Sequence, residues 1–107
     1  MSSKDKEGNI AQVVYELRGN IAYIHFDHVA ARNAMTVEMY QSLQSICIDI
    51  AKQSEIRVLV LRGAGGKSFV AGSDIAQFAD FQDGQDGIDY EERIDQYLTP
   101  LAMLPIP

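Results

Sequence analysis

The chain has 107 residues, of which 47% are hydrophobic, with one cysteine and a formal net charge of −6. That length admits one small domain with a modest core, and the negative charge argues against binding to a nucleic-acid backbone. No apolar run is long enough to cross a membrane, the first residues carry no signal-peptide core, and the lone Cys47 rules out an internal disulfide, a combination that fits a cytoplasmic protein.

Residues 1–9 are polar and charged and are expected to form a disordered lead-in, leaving a domain over 10–107. Ile10 to Leu17 is rich in β-formers, and Ile21 to Phe26 alternates, with Ile21, Tyr23 and His25 on one face and Ala22, Ile24 and Phe26 on the other. Arg18-Gly19-Asn20 between them predicts a hairpin. Asp27 to Met35 reads as a loop. Thr36 then suits an N-cap and Glu38 the first turn of a helix running to about Gln53. Val37, Tyr40, Leu43, Cys47 and Ile50 form its buried stripe, widened by Ile46. The apolar run Val58 to Leu61 predicts a strand buried on both sides, completing a βαβ unit. A short helix over Ile75 to Phe81 follows, then a mobile, acidic, glycine-rich loop over Gln82 to Asp89. A last helix is predicted from about Ile88 to Met103, kinked or broken at Pro100. Leu104-Pro105-Ile106-Pro107 points to a further extended segment. The fold class is therefore α/β.

Chemistry concentrates in Ser68-Phe69-Val70-Ala71-Gly72-Ser73-Asp74-Ile75, where a strand and a glycine-rich loop lead into a helical signal. Backbone N–H groups at such a junction point outward and attract negative charge, and a small residue beside glycine lets a ligand approach them. The Ser73 N–H is thus a candidate oxyanion donor, with a plain strand-to-helix turn that binds no ligand as the alternative reading of the same residues, and Asp74 a cap for the short helix. The loop Gly63 to Ser68 is not a phosphate loop: the P-loop pattern needs glycine at Leu61, and the dinucleotide pattern needs it at Ser68. Lys67 in that loop is placed to meet an acidic ligand. His25 and His28 lack partners at metal-ligand spacing, so no metal site is expected. Glu91, Glu92 and Asp95 read as a solvated helix face.

The order and spacing of Arg32-Asn33-Ala34-Met35, the strand Arg57 to Leu61, Phe69-x-Ala71-Gly72-x-Asp74-Ile75 and Leu104-Pro105-Ile106-Pro107 resemble the crotonase superfamily, the enoyl-CoA hydratase/isomerase family. The resemblance runs from Val13 to Pro107. It implies the N-terminal part of a ββα spiral: a hairpin, a βαβ unit and two further helices. It implies an acyl-CoA thioester as substrate, with coenzyme A as part of that substrate and no other cofactor. Hydration of a trans-2-enoyl-CoA through an oxyanion-stabilised enolate is the implied reaction. By the resemblance, the backbone N–H of Ser73 is one oxyanion-hole donor. Ala30, Ala31, Arg32 and Ala34 line the CoA portion, with Arg32 facing a phosphate, and Ala71, Gly72, Asp74 and Ile75 border the thioester. Trimers or hexamers are implied as well. The second oxyanion glycine and the catalytic glutamates of the family would lie beyond Pro107, so this chain alone is expected to be inactive as part of a longer enzyme. Two alternatives remain: a non-catalytic acyl-CoA-binding or assembly module, and another reaction of the family such as isomerisation, decarboxylation or hydrolysis.

Overall fold

In a computed structural model, residues 10–78 and 80–107 are described, the side chains of Ile75 and Gln77 excepted, so the expected lead-in over 1–9 lies outside the described residues. Strands β1 (Gln12–Arg18) and β2 (Ile21–Asp27) pair antiparallel across the Gly19-Asn20 turn, with Arg18 opposite Ile21. Gly19 has φ of 61°, which glycine adopts without a Cβ clash. Helix α1 (Val37–Ala51) then crosses to β3 (Val58–Gly63), which pairs parallel with β2 so that Ala22 faces Leu59 and Ile24 faces Leu61. The three-stranded sheet has the order β1-β2-β3.

The predicted faces of β2 hold. Ala22, Ile24 and Phe26 are buried and Tyr23 and His25 are only half-buried. Against that face packs α1, whose buried residues are Met39, Tyr40, Leu43, Cys47 and Ile50. Met39 lies four residues before Leu43 and belongs to the same stripe, although the sequence reading left it out; Val37 is half-buried. The Thr36 hydroxyl accepts the Met39 N–H at 3.1 Å, as an N-cap should.

Three expectations need correction. Val58 to Leu61 is half-buried rather than buried on both sides, because β3 is the outer strand of this sheet. Its Leu59 N–H donates to the Pro107 carbonyl at 2.9 Å, so the Pro-Ile-Pro segment lies along its open edge. The short helix is a single 3-10 turn, Ile75–Phe78, with Ala79 outside the described residues. The stretch read as a mobile loop is largely helical: α2 spans Gly84–Ala102, and Asp83 caps it by accepting the Asp86 N–H at 3.1 Å. Pro100 does not end α2. Proline withholds the N–H that would reach the carbonyl four residues back, and that carbonyl, Gln96, accepts the Gln44 side-chain amide from α1 at 3.4 Å.

Candidate functional site

The site begins where the chain leaves β3. At Gly63 a Cβ would stand 2.0 Å from the Ser68 carbonyl oxygen, so only glycine lets the loop fold back over the strand end. The returning segment meets the start of α1 in a parallel bridge between Met35 and Ser73. The Met35 N–H donates to the Gly72 carbonyl at 2.7 Å, and the Asp74 N–H donates to the Met35 carbonyl at 2.9 Å. Extended backbone alternates its polar groups. The residues flanking Ser73 therefore face Met35, and the Ser73 N–H points the other way. Among the described residues no acceptor takes that N–H. Gly72 has φ of 94° and nothing within 4 Å of where a Cβ would sit, which leaves open space beside the donor. Asp74 Oδ1 accepts the Ala76 N–H at 3.0 Å and so caps the 3-10 turn. Ile75 opens that turn, and its side chain lies outside the described residues. Ala71 is exposed on the approach.

Two features here were not read from the sequence. The Ser73 hydroxyl lies 2.8 Å from the Tyr40 hydroxyl of α1. Ser73 also borders an open, largely apolar cavity of about 500 Å³ against α2, walled by Phe78, Phe81, Tyr90 and Ile94 and edged by Glu91 and Asp95. The three rings pack at centroid distances of 5.2–5.6 Å, with Phe78 perpendicular to Tyr90. Glu91 and Asp95 are exposed, as the sequence reading held, yet they sit one helical turn apart on the cavity side. Their spacing from Tyr90 and Ile94 was the available signal. A larger hollow of about 600 Å³, ringed by Asp80, Asp86, Asp89, Glu92 and Arg93, contains none of the predicted site residues.

A second cavity, of about 310 Å³, is formed by the β2–α1 loop and the glycine-rich loop. Arg32 and Lys67 both line it, together with Ala30, Asn33 and Ser68, so the two cations that the sequence singled out share one site. Asn33 builds it. Its side chain is 1% exposed and its φ is 61°. Its Oδ1 accepts the His28 N–H at 2.7 Å, and its Nδ2 donates to the Ala64 and Ser68 carbonyls, both at 3.0 Å. Ala31 ends the 3-10 turn Val29–Ala31 and is half-buried. Ala34 is buried, and its carbonyl is 2.8 Å from Nδ1 of buried His28. Neither Ala31 nor Ala34 lines this cavity. Among the described residues no group of three or more His, Cys, Asp or Glu side chains could hold a metal ion. Cys47 is buried on the inner face of α1, and burial pushes its thiol up to about 11, so it stays protonated.

The family model described as enoyl-CoA hydratase/isomerase matches residues 21–99, a span from β2 into α2 that includes both cavities. The chain belongs to the enoyl-CoA hydratase/isomerase family. It is 34% identical over 65 residues to a short-chain-enoyl-CoA hydratase of Clostridium acetobutylicum, covering 61% of this chain and 25% of that protein. It is 31% identical over 70 residues to a mitochondrial 3-hydroxyisobutyryl-CoA hydrolase of Danio rerio, covering 65% of this chain and 18% of the relative. An enoyl-CoA hydratase/carnithine racemase from Magnetospirillum magneticum superposes with a TM-score of 0.81 at 26% identity, over 89% of this chain and 36% of that one. The matches thus span 18–25% of the length of these curated relatives, and the chain's α/β elements follow the crotonase fold. Among the described residues no helix is long and apolar enough to cross a membrane.

Proposed function

We propose that this protein binds an acyl-CoA thioester and that the whole enzyme hydrates a trans-2-enoyl-CoA, with the Ser73 N–H as one of two oxyanion donors. The observation that carries this reading is the Ser73 N–H itself: turned away from Met35 and without an acceptor among the described residues, on a residue that borders an apolar cavity. A thioester carbonyl oxygen set against that N–H places the acyl chain toward Phe78, Phe81 and Tyr90. The CoA phosphates then reach the cavity of Arg32 and Lys67, where cations and phosphate oxygens make charge-assisted hydrogen bonds. Ala30 forms part of the wall that the nucleotide passes, Ala31 and Ala34 support that wall from behind, and Ala71, Gly72, Asp74 and Ile75 border the thioester.

The chemistry follows from charge flow. Water adds its oxygen to the β-carbon, the alkene electron pair moves toward the carbonyl, and an enolate oxygen develops at the donors. A base takes the proton from water, and an acid returns one to the α-carbon. By the family resemblance, the second donor and the acid–base carboxylates lie beyond Pro107, so this chain alone binds without turning over. No cofactor beyond the substrate's CoA is required. Homo-oligomer assembly and a cytoplasmic setting belong to the same proposal.

The test is hydration of crotonyl-CoA by the protein at its natural length, followed by loss of enoyl absorbance. Ser73→Pro deletes the donor and is expected to lower kcat by about 10²–10³. Full activity in that variant would refute the assignment of Ser73. Tight crotonyl-CoA binding with no turnover at natural length would instead assign a non-catalytic acyl-CoA-binding module.

A further inference from the structure

We infer that Tyr40 is a positioning residue for the oxyanion donor: its hydroxyl, acting through Ser73 Oγ, sets the direction of the Ser73 N–H. The inference rests on the reading of Ser73 given above. The bridge to Met35 holds the donor segment by two backbone hydrogen bonds on one side. Two bonds to a single residue define an axis, and the peptide that carries the Ser73 N–H can rock about it. The Tyr40–Ser73 contact at 2.8 Å is a third point off that axis. Direction matters because a hydrogen bond weakens steeply once its donor angle falls below ~120°.

Tyr40 is suited to act as a fixed post. It is 7% exposed, and its ring stacks on Tyr97 of α2 at 6.4 Å and 15°. The Tyr97 hydroxyl in turn accepts the Gln41 side-chain amide at 3.3 Å. Tyr40 follows Met35 closely at the start of α1, so one rigid segment grips Ser73 by both backbone and side chain. The purely structural alternative is that Ser73 merely gives a buried phenol its hydrogen-bond partner. That alternative leaves the aim of the N–H untouched.

Tyr40→Phe keeps the ring and its stacking and removes only the hydroxyl; Ser73→Ala removes the other half of the contact. In the active full-length protein, each is expected to lower kcat about 3- to 10-fold with KM within about twofold. The double variant should be no slower than either single, because one interaction has been lost rather than two. Ser73→Thr, which retains a hydroxyl, should restore most of the rate. Additive losses, or unchanged kcat in both singles, would overturn the inference. A second readout does not depend on turnover. The ¹⁵N order parameter of the Ser73 amide in this chain should fall from the rigid value of about 0.85 toward about 0.6 in Tyr40→Phe, with residues in the middle of α1 unchanged. An unchanged order parameter overturns the inference even if the enzyme is active. A lowered one supports it even if crotonyl-CoA proves not to be the substrate.

Discussion

The carboxamide of Asn33 bonds three backbone groups from two loops at once, and it does so in a left-handed backbone conformation that asparagine tolerates better than most residues. Asn33→Asp keeps the shape but turns the paired donor into an oxygen facing the Ala64 and Ser68 carbonyls. Loss of both bonds at a buried position is expected to cost about 2–4 kcal/mol, measured as a lower urea midpoint with an unchanged m-value. Weaker CoA binding should accompany it, because Arg32 and Lys67 lose their common frame. Cys47 gives a prediction with pH. Its thiol is raised from 9.0 unfolded to about 11 folded, so the neutral form favours the fold. That contribution is complete below pH 9 and is lost as pH rises through 11. Cys47→Ala should flatten this alkaline decline, whatever it does to stability at pH 7, and an equally steep decline in the variant would assign it to another group. At this scale the sequence spoke clearly where one residue acts locally: the Thr36 cap and the Asp74 cap were both readable. It did not reveal the bonds that Asn33 makes or the Tyr40–Ser73 pair, because each joins parts of the chain that only the finished βαβ unit brings together.

Among the elements, glycine positions separate constraint from tolerance. At Gly63 an added methyl meets the Ser68 and Phe69 backbone at 2.0–2.7 Å. Backbone cannot rotate aside as a side chain does, so Gly63→Ala should displace the whole return of the loop and lower thermal stability and ligand affinity together. Gly87, inside α2, has nothing within 4 Å of its would-be Cβ, and Gly87→Ala is expected to stabilise the protein by roughly 0.5–1 kcal/mol through helix propensity. Gly87 also lines the cavity beside Ser73, and a fall in stability there would mean that this wall is tighter than its open surroundings indicate. The same helix shows why its start was misread. Asp83-Gly84-Gln85-Asp86-Gly87 has turn composition, but Asp83 as N-cap and Asp86 in the first turn supply orphan N–H partners and a favourable charge, and these outweigh two glycines. The helix also continues past Pro100 because α1 provides a substitute donor, Gln44, for the orphaned carbonyl. No local pattern could announce a partner on another helix. The hairpin, α1 and the parallel pairing of β2 with β3 were legible because apolar period and turn chemistry agree in those segments.

Taken whole, the chain is looser than its length would predict. The radius of gyration is 14.9 Å, against about 13 Å for a closed domain of this size. Val14 and Ile21 lie exposed on the sheet, Phe69 beyond β3, Ile88 on α2 and Met103 just past its end. Such surface favours association. The 107-residue chain by itself is expected to self-associate in sedimentation equilibrium at micromolar concentration, and a monomer across that range would show that its exposed surface is tolerated. The Met35–Ser73 bridge has a further consequence. Among the described residues, the bridge ties the donor segment to Met35 by two main-chain hydrogen bonds and Ser73 meets Tyr40 by a pair of hydroxyls, whereas the sheet and α1 share a continuous core. Local opening of a segment at the periphery of the core needs less free energy than global unfolding. Gentle warming should therefore release the Ser73 segment while the strands and helices remain in place, and affinity for the proposed thioester ligand should be lost several degrees before the circular dichroism changes.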